Sequence, residues 1–348
     1  MPLMRLRVYV IYVALGWVLG LAAMTGLPHD KYLRYQQLND GTAPTAYWIY
    51  ERIHDDPTPI DIAFIGTSRT GMSIHSRRLE EDLARLGYPV KAANLHIVKN
   101  GTDMQYVVAK ELLDARKVSV LVVELIDWED RKTHPDFIYL ADTKDVIEAP
   151  LFINLSYFSD LLRLPGRQID LFLQTQEARL GWGAPSYVPP YEGPNLDHAE
   201  YIRTLDGVNH YRSEVHSLAE MQELRREQER LITPPLLPRS LEGTEFRMTR
   251  YYMNRILELA SEHHTKVVFL YTPRFGGPAV PPAYALYANR VALINPAPVL
   301  GDWDLWADDT HVNWNGARRM TDFVAQALAA GGELRAPESA AGVGERGR

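Results

Sequence analysis

The run Val118-Ser119-Val120-Leu121-Val122-Val123-Glu124-Leu125 limits the possible folds more than any other part of the chain. Valine and leucine continue almost without a break, and there is no alternation of polar with apolar residues. Such a strand is buried on both faces, as in a parallel sheet covered by helices. The residues before it supply the partners. Residues 60–65 read as a first strand, stopping at Gly66. An amphipathic helix follows, with Met72, Ile74, Leu79, Leu83 and Leu86 on one side, and ends near Gly87-Tyr88-Pro89. Residues 90–95 read as a second strand, Lys99 to Thr102 as a loop, and 103–115 as a second helix. This β-α-β-α-β alternation predicts an α/β fold with right-handed crossovers.

The pattern is interrupted and then resumes. Residues 128–245 show no comparable strand and are punctuated by Pro150, Pro165, Pro185, Pro189, Pro190 and Pro194. They read as a helical insertion in the α/β domain, with a charged helix over 213–231. From 249 the alternation returns: a helix over 249–263, a strand over 266–271, a short helix over 284–290, a short strand near 291–294, a polar loop over 302–315 and a closing helix over 316–328. The domain therefore spans 60–330. Residues 30–59, carrying Gly41, Pro44, Pro57 and Pro59, read as a connecting region with a short helix over 47–53. The last residues, 331–348, collapse to Gly, Ala, Glu, Pro and Arg and read as a disordered tail.

Residues 8–27 carry no charge and are rich in Val, Leu, Ile and Ala. A helix of about 20 apolar residues spans the hydrocarbon core of a bilayer. Arg5 and Arg7 precede the stretch and favour a cytoplasmic amino terminus. The expectation is a single-pass anchor within 1–29, in the inner (cytoplasmic) membrane, with the domain periplasmic or otherwise extracytoplasmic. A cleaved signal peptide is the second reading. Its apolar region is shorter, roughly 7–15 residues, and no clean Ala-x-Ala site is present. A buried core helix is the third.

Composition narrows the function. The formal charge of -7 provides no general basic face, which argues against nucleic acid as a partner. The absence of Cys removes disulfides, thiolate catalysis and zinc-thiolate sites. No Gly-rich phosphate fingerprint follows any strand, which argues against a flavodoxin-type cofactor binder. No metal or organic cofactor is expected.

Two short stretches carry the chemistry. Ser68 stands just past the end of the first strand, where a tight turn displays a side chain at the sheet edge. The plain alternative is a Ser that caps the following helix. A Ser hydroxyl needs a base within reach, and the base needs a third group to orient it. His311 is the candidate base, on a polar loop before the last helix. Asp308, three residues upstream, can fold back onto the imidazole, and the adjacent Asp309 could take its place.

Together these stretches resemble the SGNH (GDSL-like) hydrolase superfamily. Gly66-Thr67-Ser68-Arg69-Thr70 is similar to a variant first block in which the usual Asp before the Ser is replaced. Asp308-Asp309-Thr310-His311-Val312-Asn313-Trp314-Asn315-Gly316 resembles the last block. Asn94-Leu95, with Gly101 beyond, resembles the second block, where a Gly backbone N–H helps to form the oxyanion hole. The resemblance covers 60–130 and 249–330. It implies a flavodoxin-like α/β/α three-layer fold around a parallel sheet, with Ser68 as nucleophile, His311 as base and Asp308 orienting it. The Ser68 and Gly101 amides are the implied oxyanion donors. The third block departs from the pattern: the strand ends Glu124-Leu125-Ile126-Asp127-Trp128, without the donor Asn. Loss of one oxyanion donor costs on the order of 10²–10³ in rate when nothing replaces it, and Asn100 is a candidate replacement. Arg69, Trp306 and Asn313 are the candidate substrate contacts. Arg69 reads either as a binder of an anionic group or as a partner of Glu124 or Asp127. Trp306, with Trp303 and Trp314, suits either stacking on a sugar ring or loop packing.

Anchored relatives with this variant first block resemble the alginate O-acetylation proteins and the D-alanyl transfer protein of teichoic acid synthesis. The resemblance implies an extracytoplasmic serine acyltransferase or esterase acting on acyl esters of a cell-surface polysaccharide. Its partners would be an acylated glycan or acyl donor and a multi-spanning membrane O-acyltransferase. The rival is a non-catalytic glycan-binding or scaffolding partner in an envelope acylation complex, to which the missing Asn and the replaced Asp point.

Overall fold

The computed structural model describes residues 2–38, 45–99, 101–182, 191–196, 201–203, 209–211, 215–232 and 234–334. A 23-residue helix, α1 (Pro2–Met24), opens the chain. Val8, Tyr9, Ile11, Tyr12, Leu15 and Trp17 are all exposed on it. Among the described residues no helix is long and apolar enough to cross a membrane. Two short helices follow, α2 (Lys31–Gln36) and α3 (Ala46–His54). The sequence reads this region as a connector, yet Tyr35, Trp48, Ile49 and Ile53 are fully buried in the main core. Glu111 ties it down further, accepting from Tyr35 (3.3 Å) and pairing with His54 (2.7 Å) and Lys31.

The α/β unit then begins with β1 (Ile62–Ile65), α4 (Ser68–Ser73), α5 (Ser76–Arg85), β2 (Ala92–Asn94), α6 (Thr102–Ala115) and β3 (Val120–Leu125). One continuous helix was expected between β1 and β2, but the chain breaks at Ile74 and His75, both extended. Asn94, buried on β2, explains the break. Its Nδ2 donates to the carbonyl of Thr70 (3.1 Å), which also accepts from the Ile74 amide, and to the carbonyl of Ile74 (2.9 Å), so it holds the chain where α4 ends.

The insertion is mostly helical, as expected, but not without strands. It holds α7 (Phe137–Leu140), α8 (Thr143–Ile147), α9 (Tyr157–Leu180), an antiparallel pair β4 (Tyr201–Arg203) and β5 (Asn209–Tyr211), α10 (Leu218–Leu231) and α11 (Glu242–Glu245). Pro165, which reads as a break, lies inside α9. An interior proline removes one helical hydrogen bond. The next turn is fastened elsewhere, with the buried Arg167 donating to the carbonyl of Ala141 at 2.8 Å. α10 begins at Leu218, because Ser217 and Glu220 close a reciprocal capping box. Residues 213 and 214, expected in that helix, and 335–348 of the expected tail lie outside the described residues.

The chain closes with α12 (Arg247–Glu262), β6 (Lys266–Tyr271), β7 (Ala292–Ile294) and α13 (Trp314–Ala330). In place of a helix over 284–290 there is a 3₁₀ turn, Pro282–Leu286, entered through the Pro281-Pro282 pair.

The strands form a five-stranded, all-parallel sheet in the order β2-β1-β3-β6-β7. Successive residues along a strand point to opposite faces, and the cores divide accordingly. Ala63, Ile65, Leu121, Val123 and Phe269 face a core shared with α3, α6 and α12. Ile62, Phe64, Val120, Val122, Val268 and Leu270 face the other, shared with α5 and α13. Phe269 pairs in register with Val123 and is fully buried. Its replacement by alanine should lower stability by about 3–5 kcal/mol. In urea titrations this should shift the midpoint without changing the slope.

Candidate active site

The site is built from the turn after β1. A Cβ at Gly66 would lie 2.2 Å from Thr70 Oγ1 and 2.8 Å from Glu124 Cβ, so only glycine allows so close an approach. Thr67 follows as the N-cap of α4, its hydroxyl accepting from the Arg69 amide at 3.1 Å. The capping role open to Ser68 thus belongs to Thr67. Ser68 is the first residue of α4, and its hydroxyl faces His311, with Oγ 2.8 Å from Nε2.

His311 sits on a loop folded like a small hairpin. Val312 bridges Trp306, and the Ala307 amide donates to the His311 carbonyl at 2.9 Å. Asp308 turns back into this loop. One of its oxygens accepts from the amides of Thr310 and His311, each at 2.7 Å, and the other lies 2.8 Å from His311 Nδ1. Because the carboxylate accepts, Nδ1 carries the proton, and Nε2 is left to accept from the Ser68 hydroxyl.

The two neighbouring carboxyl groups behave differently. Burial alone would raise the pKa of Asp308. His311 beside it, and the hydrogen bonds from the His311 ring and from the Thr310 and His311 amides, overcome that and hold the carboxyl well below the usual range. Burial, then the charge of Asp308, push the Asp309 carboxyl up to about 6. Asp309 Oδ2 is buried with no hydrogen-bond partner among the described residues. Of the two aspartates, Asp308 is therefore the one that holds the imidazole.

Arg69 lies behind the turn, 5% exposed. Its Nη1 donates to Asp127 (3.1 Å) and to the Thr272 carbonyl (2.9 Å), and its guanidinium lies 4.5 Å from the centre of the Trp128 ring. Asp127 also pairs with Arg274. Of the two roles open to Arg69, the pairing with Asp127 is formed, whereas Glu124 is engaged by Thr67 and Thr272.

Trp306 and Asn313 are each 1% exposed. The expectation that they touch substrate is corrected by this burial, which puts both beneath the loop. Trp306 donates through Nε1 to the Leu300 carbonyl at 3.0 Å. Asn313 caps α13, accepting from the Asn315 and Gly316 amides, and donates to the Asp304 carbonyl at 2.7 Å. Trp303 is partly exposed, and Trp314 packs edge-on against His75.

Two of the expected oxyanion donors are backbone amides at helix starts. Ser68 opens α4 and Gly101 is the N-cap of α6, where N–H groups have no intrahelical acceptor. A Cβ at Gly101 would lie 2.8 Å from both Asp103 Oδ1 and His134 Cβ. Asn100 lies outside the described residues.

Ser68, Asp127 and Thr272 all follow the carboxyl ends of neighbouring strands β1, β3 and β6. The chain leaves β1 toward β2 on one side and returns to β3 on the other. Crevices for ligands open at such a reversal of strand order. The sequence pointed to Glu124 only as a candidate partner of Arg69 and missed both Thr272 and the contacts of Glu124 with Thr67 and Thr272. The available signal was a lone carboxylate near the end of a strand otherwise made of Val and Leu.

No family model matches the chain, and no curated protein matches it.

The raised Asp309 carboxyl generates a pH test. Its folded value of about 6 exceeds the roughly 3.9 of an unfolded aspartate, so the folded state binds the proton more tightly. Stability attributable to this group is therefore present below about pH 4 and lost as pH rises toward 6. Asp309→Asn, which mimics the neutral form, should match the native chain at pH 4 and exceed it by on the order of 1 kcal/mol at pH 8. Urea titrations at both pH values measure the difference.

Proposed function

We propose that this chain is a serine acyltransferase or esterase of the SGNH type, acting on acyl esters of a cell-surface polysaccharide. The observation that carries the reading is the chain of hydrogen bonds from Ser68 through His311 to Asp308, 2.8 Å at each step. The doubly wound strand order, with the site at its switch point, also fits the flavodoxin-like arrangement of that superfamily.

The chemistry follows from the geometry. Ser68 Oγ attacks the acyl carbonyl carbon while His311 Nε2 takes the hydroxyl proton. Asp308 holds Nδ1–H and stabilises the imidazolium. The Ser68 and Gly101 amides are the candidate donors to the oxyanion. Collapse of the tetrahedral intermediate breaks the ester C–O bond, and His311 returns its proton to the departing alkoxide. His311 then takes a proton from a sugar hydroxyl or a water, whose oxygen attacks the acyl-enzyme. Ser68 leaves with the proton from the imidazolium. The step needs no metal or organic cofactor.

In the same reading α1 is a single-pass anchor in the cytoplasmic membrane, and the domain works on its outer side. Support comes from the uncharged stretch 8–27 and from the apolar side chains exposed around α1. A multi-spanning membrane O-acyltransferase would then supply the acyl group.

One observation favours the rival reading of a non-catalytic glycan-binding or scaffolding protein. Where an Asn donor would stand after β3 there is Asp127, whose carboxylate is engaged by Arg69 and Arg274. A single experiment separates the two. Wild-type protein should hydrolyse p-nitrophenyl acetate and carry a transient acyl adduct on Ser68 by mass spectrometry. Ser68→Ala should lose the adduct and reduce turnover by about 10⁴-fold or more. Equal turnover in both proteins would leave the binding reading.

A further inference from the structure

We propose that residues 151–162 form a membrane seat: an apolar surface that rests on the bilayer beside the point where α1 leaves the domain. Phe152, Leu155, Phe158 and Leu162 are 67%, 77%, 67% and 82% exposed, and Leu151 extends the patch. They lie in the loop before α9 and in its first turns. Large apolar side chains this exposed, and this close together, mark a contact surface on a globular domain.

Lipid is the occupant because of what adjoins the patch. The Thr143 hydroxyl donates to the Thr25 carbonyl at 3.2 Å, Gln168 donates to the Leu27 carbonyl at 3.2 Å, and the Asp30 amide donates to Thr175 at 2.9 Å. The chain leaving α1 thus runs alongside α9 in the same direction. Following it backward, α1, which packs against α9, approaches the first turns where Phe158 and Leu162 stand. α1 is itself apolar in consecutive exposed residues, so no single groove covers it, whereas hydrocarbon covers every side. Arg163, exposed beside Leu162, supplies a cation at the rim for anionic headgroups.

The seat has a consequence for the active site. The Leu155 amide donates to the Arg131 carbonyl at 3.3 Å, and the Thr133 hydroxyl donates to Asp160 at 2.7 Å. His134, next in the chain, donates from its amide to Asp103 at 2.7 Å and lies against Gly101. The patch, the loop after β3 and the start of α6 at Gly101, a candidate oxyanion donor in the proposed function, are therefore fastened together. A domain held this way presents its crevice at a fixed height above the membrane.

The proposal rests on the reading of α1 as the membrane-inserted element, and the test separates the two. The chain has no Cys, so single cysteines can be placed in the full chain at Leu155, Leu162, Leu15 and, as a control, at the exposed Leu86 that caps the end of α5. Each is labelled with an environment-sensitive fluorophore and reconstituted into phosphatidylethanolamine/phosphatidylglycerol vesicles carrying brominated acyl chains. Labels at 155 and 162 should lose about half their emission to the bromolipid, as expected for side chains at the headgroup–acyl boundary, while the label at 86 stays unquenched. Quenching at 15 but not at 155 or 162 overturns the seat and leaves the anchor. Quenching at 155 and 162 but not at 15 keeps the seat and discards the anchor. Shielding at 155 and 162 that follows protein concentration, without bromolipid quenching, overturns the seat in favour of a second copy.

Discussion

The carboxylate of Glu124 is the interaction on which the rest depends. It is 2% exposed, near the end of β3, and gathers the ends of three neighbouring strands. From β1 it receives the Thr67 amide at 2.6 Å and the Thr67 hydroxyl at 3.2 Å; from β6 it receives the Thr272 hydroxyl. A buried carboxylate is costly unless donors surround it, and a satisfied one specifies a single arrangement. Here it sets the turn after Gly66. That turn makes Thr67 the cap of α4 and leaves the Ser68 hydroxyl free to meet His311. Asn94 secures the other end of the same short helix through the Thr70 and Ile74 carbonyls. Ser68 is thus fixed from both ends of α4 by groups that hold the helix in place.

Much of the sheet was legible because its strands are buried on both faces. β6 has the bounds expected for it, 266–271, and β3 is the last six residues of the Val-Leu stretch. Failures came where tertiary contacts override local pattern. The periodicity of 68–86 reads as one helix, since nothing local reveals that Asn94 will take the carbonyls at the break. Pro165 is one of the prolines that punctuate the insertion, yet α9 continues through it with Arg167 and Gln168 held in the interior. Residues 31–54 lack the repeated pattern of the α/β unit, and only the folded chain shows Trp48 and Tyr35 inside its core.

The site was legible for a different reason. A Ser past a strand end and a D-x-x-H before a last helix lie far apart in sequence, but each is a local pattern with its own geometry. The structure brings Ser68, His311 and Asp308 into one chain of hydrogen bonds. The residues placed around them were less legible. Trp306 and Asn313 stand near His311 in sequence, but both flanks of the hairpin-like loop are buried, Leu305 with Trp306 and Val312 with Asn313. Trp306, bridged to Val312, goes inward, and Asn313 is drawn under the loop as the cap of α13. Glu124 and Thr272 could not be recognised as a pair, because their meeting depends on β3 and β6 being neighbours.

The choice between Asp308 and Asp309 shows how environment assigns roles to equivalent side chains. The two are consecutive and chemically identical, and spacing alone only favours the first. In the fold Asp308 is met by the Thr310 and His311 amides and by the imidazole, so its charge is opposed by burial and more than compensated by partners. Asp309 is held differently, its backbone carbonyl accepting from the Phe275 amide at 2.8 Å while its Oδ2 is buried with no partner among the described residues. The charge on Asp308 then acts on Asp309 as a penalty. A carboxylate that remains ionised beside an imidazole can stabilise an imidazolium, which is what the proposed role of His311 as base requires. One that takes up a proton near pH 6 would lose that ability within the range where a histidine base works. The asymmetry between the two aspartates is therefore a property of the loop that bends back at Asp308, and the same bend aims Nε2 of His311 at Ser68.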